Sequence, residues 1–147
     1  MLSSIQVLVA EDFEDFRRYV CAQLRSRPEV EVVSEVSDGL EAVQKARELN
    51  PQLILLDIGL PSLNGLEAAQ RIREQAPDAK ILFVSQESAA DIVRKAFSAG
   101  GCGYVCKADA ENELLIAVDV VLRGGRFIGR RFEGHVLAKG AGFGTSE

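Results

Sequence analysis

The segment "PQLILLDIGLPSLNGLEAA", residues 51–69, decides the fold. Leu53, Ile54, Leu55 and Leu56 form an unbroken apolar run between Pro51 and a turn-rich stretch containing Pro61 and Asn64-Gly65. Such a run reads as a short strand covered on both faces. It ends on a single carboxylate, Asp57, and "LEAAQRIREQA" after the turn has helical spacing up to Pro77.

The same alternation repeats on either side. "IQVLVA" (5–10) leads into "EDFRRYVCAQLRSR", where Phe16, Val20 and Leu24 are four apart and Pro28 stops the helix. "VEVVSEV" (30–36) precedes "LEAVQKARELN", with Leu40, Val43 and Ala46 on one face. "KILFVS" (80–85) feeds "AADIVRKAFSAG", which Gly100-Gly101 closes. "GYVCK" (103–107) feeds "AENELLIAVDVVLRGG", with Leu114, Leu115, Val118, Val121 and Leu122 facing inward. Five strand–helix units with short connections predict an α/β protein, a five-stranded parallel sheet between two helical layers. The pattern ends at Arg123. Residues 1–123 therefore read as one domain, and 124–147 as a glycine-rich, partly disordered tail with room for a short helix around Phe132–Ala138.

Composition narrows the function classes. The chain has 147 residues, 47% hydrophobic and 27% charged, ordinary for one globular domain. A net charge of -5 disfavours non-specific binding to nucleic acid or anionic membranes. No apolar run approaches the roughly 20 residues of a membrane span, and the N-terminus lacks the basic start of a signal peptide. Cys21, Cys102 and Cys106 read as reduced thiols, and the lone His135 argues against zinc. A cytoplasmic location is expected.

In parallel α/β sheets, ligands bind beyond the carboxyl ends of the strands. That edge receives Glu11 and Asp12 from the first strand, Asp57 from the third, Ser85 from the fourth and Lys107 from the fifth. The second offers only Ser37 and Asp38. Two like charges about 4 Å apart repel by about 4 kcal/mol at an effective dielectric of about 20. Three crowded carboxylates therefore raise one another's pKa or recruit a cation. Hard oxygen donors without cysteine or histidine select Mg²⁺. A carboxylate nucleophile, a divalent cation, a lysine and a hydroxyl together suit phosphoryl transfer. Asp57 would attack phosphorus, Mg²⁺ and Lys107 would hold the equatorial oxygens, and Ser85 would donate a hydrogen bond. Singly, each residue has a plainer reading: Asp12 or Asp15 as a helix cap, Asp57 as a turn former, Ser85 as a cap, Lys107 as a solvated surface group. Their convergence from four strands favours a site.

At these residues the chain resembles the receiver domain of two-component response regulators. "VLVAEDFEDFRRYV", "PQLILLDIGLPSLNGLEAA", "ILFVSQ" and "SAGGCGYVCKADAENELLIAV" carry the likeness over residues 5 to about 123. The resemblance implies a flavodoxin-like (βα)5 three-layer sandwich that accepts a phosphoryl group from a sensor histidine kinase or phosphotransfer protein. It makes Asp57 the phosphoacceptor, Asp12 and Asp57 direct Mg²⁺ ligands, Glu11 a ligand through water, and the Gly59 carbonyl the remaining protein ligand. It makes Ser85 and Tyr104 a switch pair that reshapes the face of the fourth helix, fifth strand and fifth helix. Such a domain promotes its own phosphorylation and dephosphorylation and is not a turnover enzyme.

Some positions depart from the family pattern. Ala108 stands where a proline, often cis, usually follows the lysine, and Gln86 where a small residue follows the serine. Gly59 and Glu87 lie at positions that vary and tune dephosphorylation. "LRGGRF" is similar to the end of receivers that precede a LuxR-type DNA-binding domain, but no such domain is legible beyond it, so direct DNA binding is not expected. A homodimer through the first and fifth helices, or through the fourth-helix face, is compatible with the family.

Other readings fare worse. A haloacid-dehalogenase-type phosphatase needs a second acid two residues after Asp57, where Gly59 stands. A nucleotide or flavin domain needs a glycine- or hydroxyl-rich first loop, whereas "VAEDFED" puts four carboxylates there. The alternative that Gln86 and Ala108 support is a phosphorylation-independent interaction module of the same fold.

Overall fold

The expected buried strand is β3 (Leu53–Leu56), its four side chains almost wholly withdrawn from solvent in the computed structural model, which describes residues 4–136. It lies between β1 (Ile5–Ala10) and β4 (Lys80–Ser85), with β2 (Val30–Val36) beyond β1 and β5 (Gly103–Cys106) beyond β4. All pairings are parallel, with Ala10 opposite Leu56 and Ser85 opposite Cys106. Parallel strands need crossovers, and these are α1 (Glu14–Arg25), α2 (Gly39–Leu49), α3 (Gly65–Gln75) and α4 (Ala90–Ser98), with α5 (Ala110–Leu122) following β5.

Side-chain alternation along the strands divides the core in two. Leu8, Ile54, Leu56, Ile81, Phe83 and Tyr104 point to one face, under α2, α3 and α4. Val7, Val9, Leu53, Leu55, Leu82 and Val105 point to the other, against Val20, Leu24, Leu114 and Val118 of α1 and α5. This is the three-layer arrangement expected. On α2 the buried contacts are Gly39, Ala42 and Ala46, while Leu40 is exposed. The helix approaches so closely that a Cβ on Gly39 would run into the Leu63 carbonyl, and small residues therefore make the interface.

The sheet has six strands rather than five. The sixth, β6 (Phe127–Ile128), pairs parallel with β5, Tyr104 opposite Ile128. It comes from the segment read as a glycine-rich tail, where two buried residues are too few to show periodicity. A 3-10 turn over Arg130–Phe132 and a short α6 (Glu133–Val136) follow, overlapping the helix expected around Phe132–Ala138; residues beyond 136 lie outside the described range. No described helix is long and apolar enough to cross a membrane.

Candidate functional site

The ladder continues one residue past the strands at the carboxyl edge. Glu11 N–H donates to Val36 (3.0 Å) and Asp57 N–H to Ala10 (3.1 Å). These bonds fix both acids at the rim, where Glu11 is 3% exposed, Asp57 6% and Ser85 1%. Asp12 is exposed beside them. One carboxylate oxygen from each of Glu11, Asp12 and Asp57 lies within 4.8 Å of the others. Asp12, Asp57, Gly59, Ser85, Gln86, Glu87 and Lys107 line one cleft of about 270 Å³ with Phe13.

Lys107 reaches into this cluster from a 3-10 turn directly after β5. Its Nζ donates to the Glu11 carboxylate at 2.9 Å and to Asp57 Oδ2 at 3.2 Å. Burial alone would pull the lysine pKa down, but the Glu11 hydrogen bond and the Asp57 charge outweigh it and hold it above 10.5. For Glu11 the balance runs the other way. Burial raises its pKa above 4.5, with the Asp57 charge adding to the rise, and the bonds from Lys107 and the Phe13 amide do not fully offset this. One ammonium against three carboxylates leaves the cluster net negative, which is the electrostatic condition for a divalent cation. The all-oxygen donor set is hard and fits Mg²⁺.

The capping readings of Asp12, Asp15 and Ser85 and the solvated reading of Lys107 are not what the structure adopts. The N-cap of α1 is Phe13, without a side-chain cap, so neither Asp12 nor Asp15 fills that role. Ala89 occupies the N-cap of α4, leaving Ser85 Oγ to accept the Glu87 amide at 3.3 Å inside the cleft. Asp57 closes a turn with a long 3.4 Å bond from the Gly59 amide to its Oδ1, leaving Oδ2 to Lys107, while the cap of α3 is Asn64. Lys107 is paired rather than solvated. The Lys107–Ala108 peptide is trans.

Tyr104 is turned inward with no exposed surface. Its hydroxyl donates to the Glu87 carbonyl at 2.8 Å, and burial raises its pKa, with the Ser85 hydroxyl opposing the rise. Phe83 stacks on its ring and Phe132 meets it edge-on at 5.5 Å. Phe132 falls at the start of the expected short helix, but its packing on Tyr104 has no sequence signal, because an isolated apolar residue among arginines and glycines carries no periodicity. Phe16 was legible only as part of a helical stripe, yet its ring lies under Lys107 Nζ, 4.9 Å from the centroid.

Residues 7–119 match the family described as response regulator receiver domain. The chain is 36% identical over 126 residues to the transcriptional regulatory protein DegU of Brevibacillus brevis, covering 86% of this chain and 53% of that protein. It is 32% identical over 135 residues to LiaR of Bacillus subtilis, covering 92% and 64%. The chain thus spans between about half and two thirds of these relatives. Among solved structures, a LuxR-family two-component response regulator from Aurantimonas sp. SI85-9A1 superposes with a TM-score of 0.87 at 29% identity, covering 93% of this chain and 98% of that one. The response regulator domain of Thermotoga maritima CheB gives 0.75 at 32% identity, covering 82% and 97%.

Proposed function

The chain belongs to the response regulator receiver domain family, and from that membership we propose that it takes a phosphoryl group onto Asp57 from a sensor histidine kinase or phosphotransfer protein. The observation that carries this reading is the Lys107 ammonium bridging Glu11 and Asp57 at the rim of a cleft that Asp12 and Ser85 complete.

An Asp57 carboxylate oxygen attacks phosphorus, forming a P–O bond as the bond to the donor nitrogen breaks. Lys107 neutralises charge on the transferred oxygens, and Ser85 donates its hydroxyl to one of them. Glu11, Asp12, Asp57 and the Gly59 carbonyl would hold Mg²⁺, which when bound supplies further neutralisation of those oxygens. Ser85 and Tyr104 form the switch pair, because they meet at the same loop: Ser85 receives the Glu87 amide and Tyr104 holds the Glu87 carbonyl. The domain is a two-state signalling element rather than a turnover enzyme. The named relatives are transcriptional regulators, so the signal passes to a transcriptional output, in the cytoplasm, without DNA contact by the receiver itself.

Intact mass after incubation with Mg²⁺ and phosphoramidate tests the reading. A metal-dependent adduct of one phosphoryl group, absent in Asp57→Asn, is expected. No adduct even under rapid quench would overturn it in favour of a phosphorylation-independent interaction module.

A further inference from the structure

The Lys107 side chain has to place a flexible four-carbon stem over Asp57, and the residue after it does nothing to hold it. Ala108 is exposed, and the 3-10 turn over Lys107–Asp109 has no buried residue. What confines the ammonium comes from elsewhere. Glu11 and Asp57 take hydrogen bonds from it. Phe16, in the first turn of α1, presents its ring to the ammonium at 4.9 Å. Phe16 is itself half-buried and packed against Tyr19, with ring centroids 5.8 Å apart, so the ring has a defined place. It also joins Phe13, Gln86, Cys106 and Ala108 in an apolar groove flanking the lysine.

We propose that Phe16 is a positioning residue for the phosphoryl-transfer reaction, its ring seating the Lys107 ammonium so that it faces Asp57. The proposal rests on the phosphoacceptor reading above. An ammonium has three donors, and two are committed to carboxylates. An aromatic face attracts the remaining positive surface without accepting the strong hydrogen bond that would draw the nitrogen away. Water or a polar side chain at this position would compete for the ammonium, and an aliphatic one would leave it free to swing. The ring therefore adds a third restraint on the Lys107 ammonium beside the two carboxylates.

Two variants test this, Phe16→Leu, which keeps the apolar bulk, and Phe16→Tyr, which keeps the ring. Adduct formation from phosphoramidate at saturating Mg²⁺ is expected to slow about two- to fivefold in Phe16→Leu and to recover in Phe16→Tyr. Independently of phosphorylation, the Lys107 ε-methylene protons are expected to show an upfield ring-current shift in the wild type and Phe16→Tyr. In Phe16→Leu that shift is lost and Lys107 Cε relaxation shows greater mobility. Wild-type rates in Phe16→Leu, or no ring-current shift in the wild type, would overturn the proposal. A wild type that takes up no phosphoryl group refutes the phosphoacceptor reading, and Lys107 mobility then decides alone: unchanged mobility in Phe16→Leu sinks the positioning role, and increased mobility supports it.

Discussion

Tyr104 donates its phenolic hydrogen to the backbone carbonyl of Glu87, 2.8 Å away, from a ring without exposed surface. That bond ties the loop after β4 to β5, between the phosphoacceptor rim and the C-terminal segment. Phe132 closes the far side of the ring at 5.5 Å, and Gly129 N–H donates to the Tyr104 carbonyl at 3.1 Å. The position of Tyr104 is thus coupled to the rim through Glu87 and to residues 127–132 through Phe132.

The two couplings differ in strength. Tyr104→Phe keeps the packing and frees one carbonyl in an exposed loop that water can reach, so a loss of about 1 kcal/mol is expected. Phe132→Ala opens a cavity beside a buried ring and is expected to cost about 3–5 kcal/mol. Urea denaturation of both variants measures the difference. Equal midpoints would show that Phe132 does not pack on Tyr104 in solution.

Much of this was legible because the signals are periodic or additive. The β3 run, the proline and glycine stops, and the four strand ends bearing Glu11, Asp57, Ser85 and Lys107 all follow from patterns that survive without coordinates. The sixth strand was not legible. Phe127 and Ile128 are two residues whose strand character comes from pairing with β5, and the glycines around them signal a tail. On the face of α2 expected to turn inward, Ala46 is buried and Val43 packs against the core, while Leu40 is exposed. Hydrophobicity favours Leu40, but at the helix start the close approach to Leu63 is made by Gly39, where a Cβ would collide. The Phe16–Lys107 contact joins residues distant in sequence and had no local signature.

Lys107→Met leaves Glu11 and Asp57 buried without their shared counter-charge. A loss of about 3–5 kcal/mol at pH 7 is expected, the range for breaking a buried pair. Glu11 already has a raised pKa, so its folded-state penalty is full above that pKa and shrinks as pH falls toward 4.5. The gap between variant and wild type therefore narrows on acidification, and added Mg²⁺ narrows it at neutral pH. Thermal melts from pH 5 to 8 follow this; a gap that widens on acidification would contradict it. In the wild type the lysine contribution persists up to 10.5 and is lost as pH rises through its elevated folded value.

A second pH effect belongs to the C-terminal segment. Arg131 makes a two-pronged ion pair with Asp109, Nε to Oδ2 at 2.6 Å and NH2 to Oδ1 at 3.0 Å. The Arg131 hydrogen bond lowers the Asp109 pKa below 3.8. A depressed carboxyl contributes stability above its unfolded pKa and loses it as pH falls through the folded value. The protection factors of the Ile128 and Gly129 amides, corrected for the intrinsic exchange rate at each pH, are expected to fall below pH 3.8, and at neutral pH in Asp109→Asn. Because the pair is partly solvated, the effect is small and weakens further in salt. Exchange in Asp109→Asn indistinguishable from wild type would show that the pair does not hold the segment.

Gly65 tests how tightly α3 is set against the phosphoacceptor. Its amide donates to the Ile58 carbonyl at 2.8 Å, and a Cβ built on it would collide with the Asp57 carbonyl and the Ile58 backbone. Nothing about its φ requires glycine; the close approach does. Since Asp57 is also held from β1 through its bond to Ala10, the added methyl has to displace either the helix start or the strand end. Gly65→Ala is expected to cost about 1–3 kcal/mol and to slow adduct formation at Asp57 together. Gly59→Ala is the control two residues past Asp57. A Cβ there meets nothing within 4 Å, so stability should stay within about 0.5 kcal/mol of wild type. Denaturation of the pair, and phosphoramidate mass shifts on Gly65→Ala against wild type, separate the cases. If Gly65→Ala phosphorylates at the wild-type rate despite its lost stability, the strain is absorbed by α3 and Asp57 is fixed by the sheet alone.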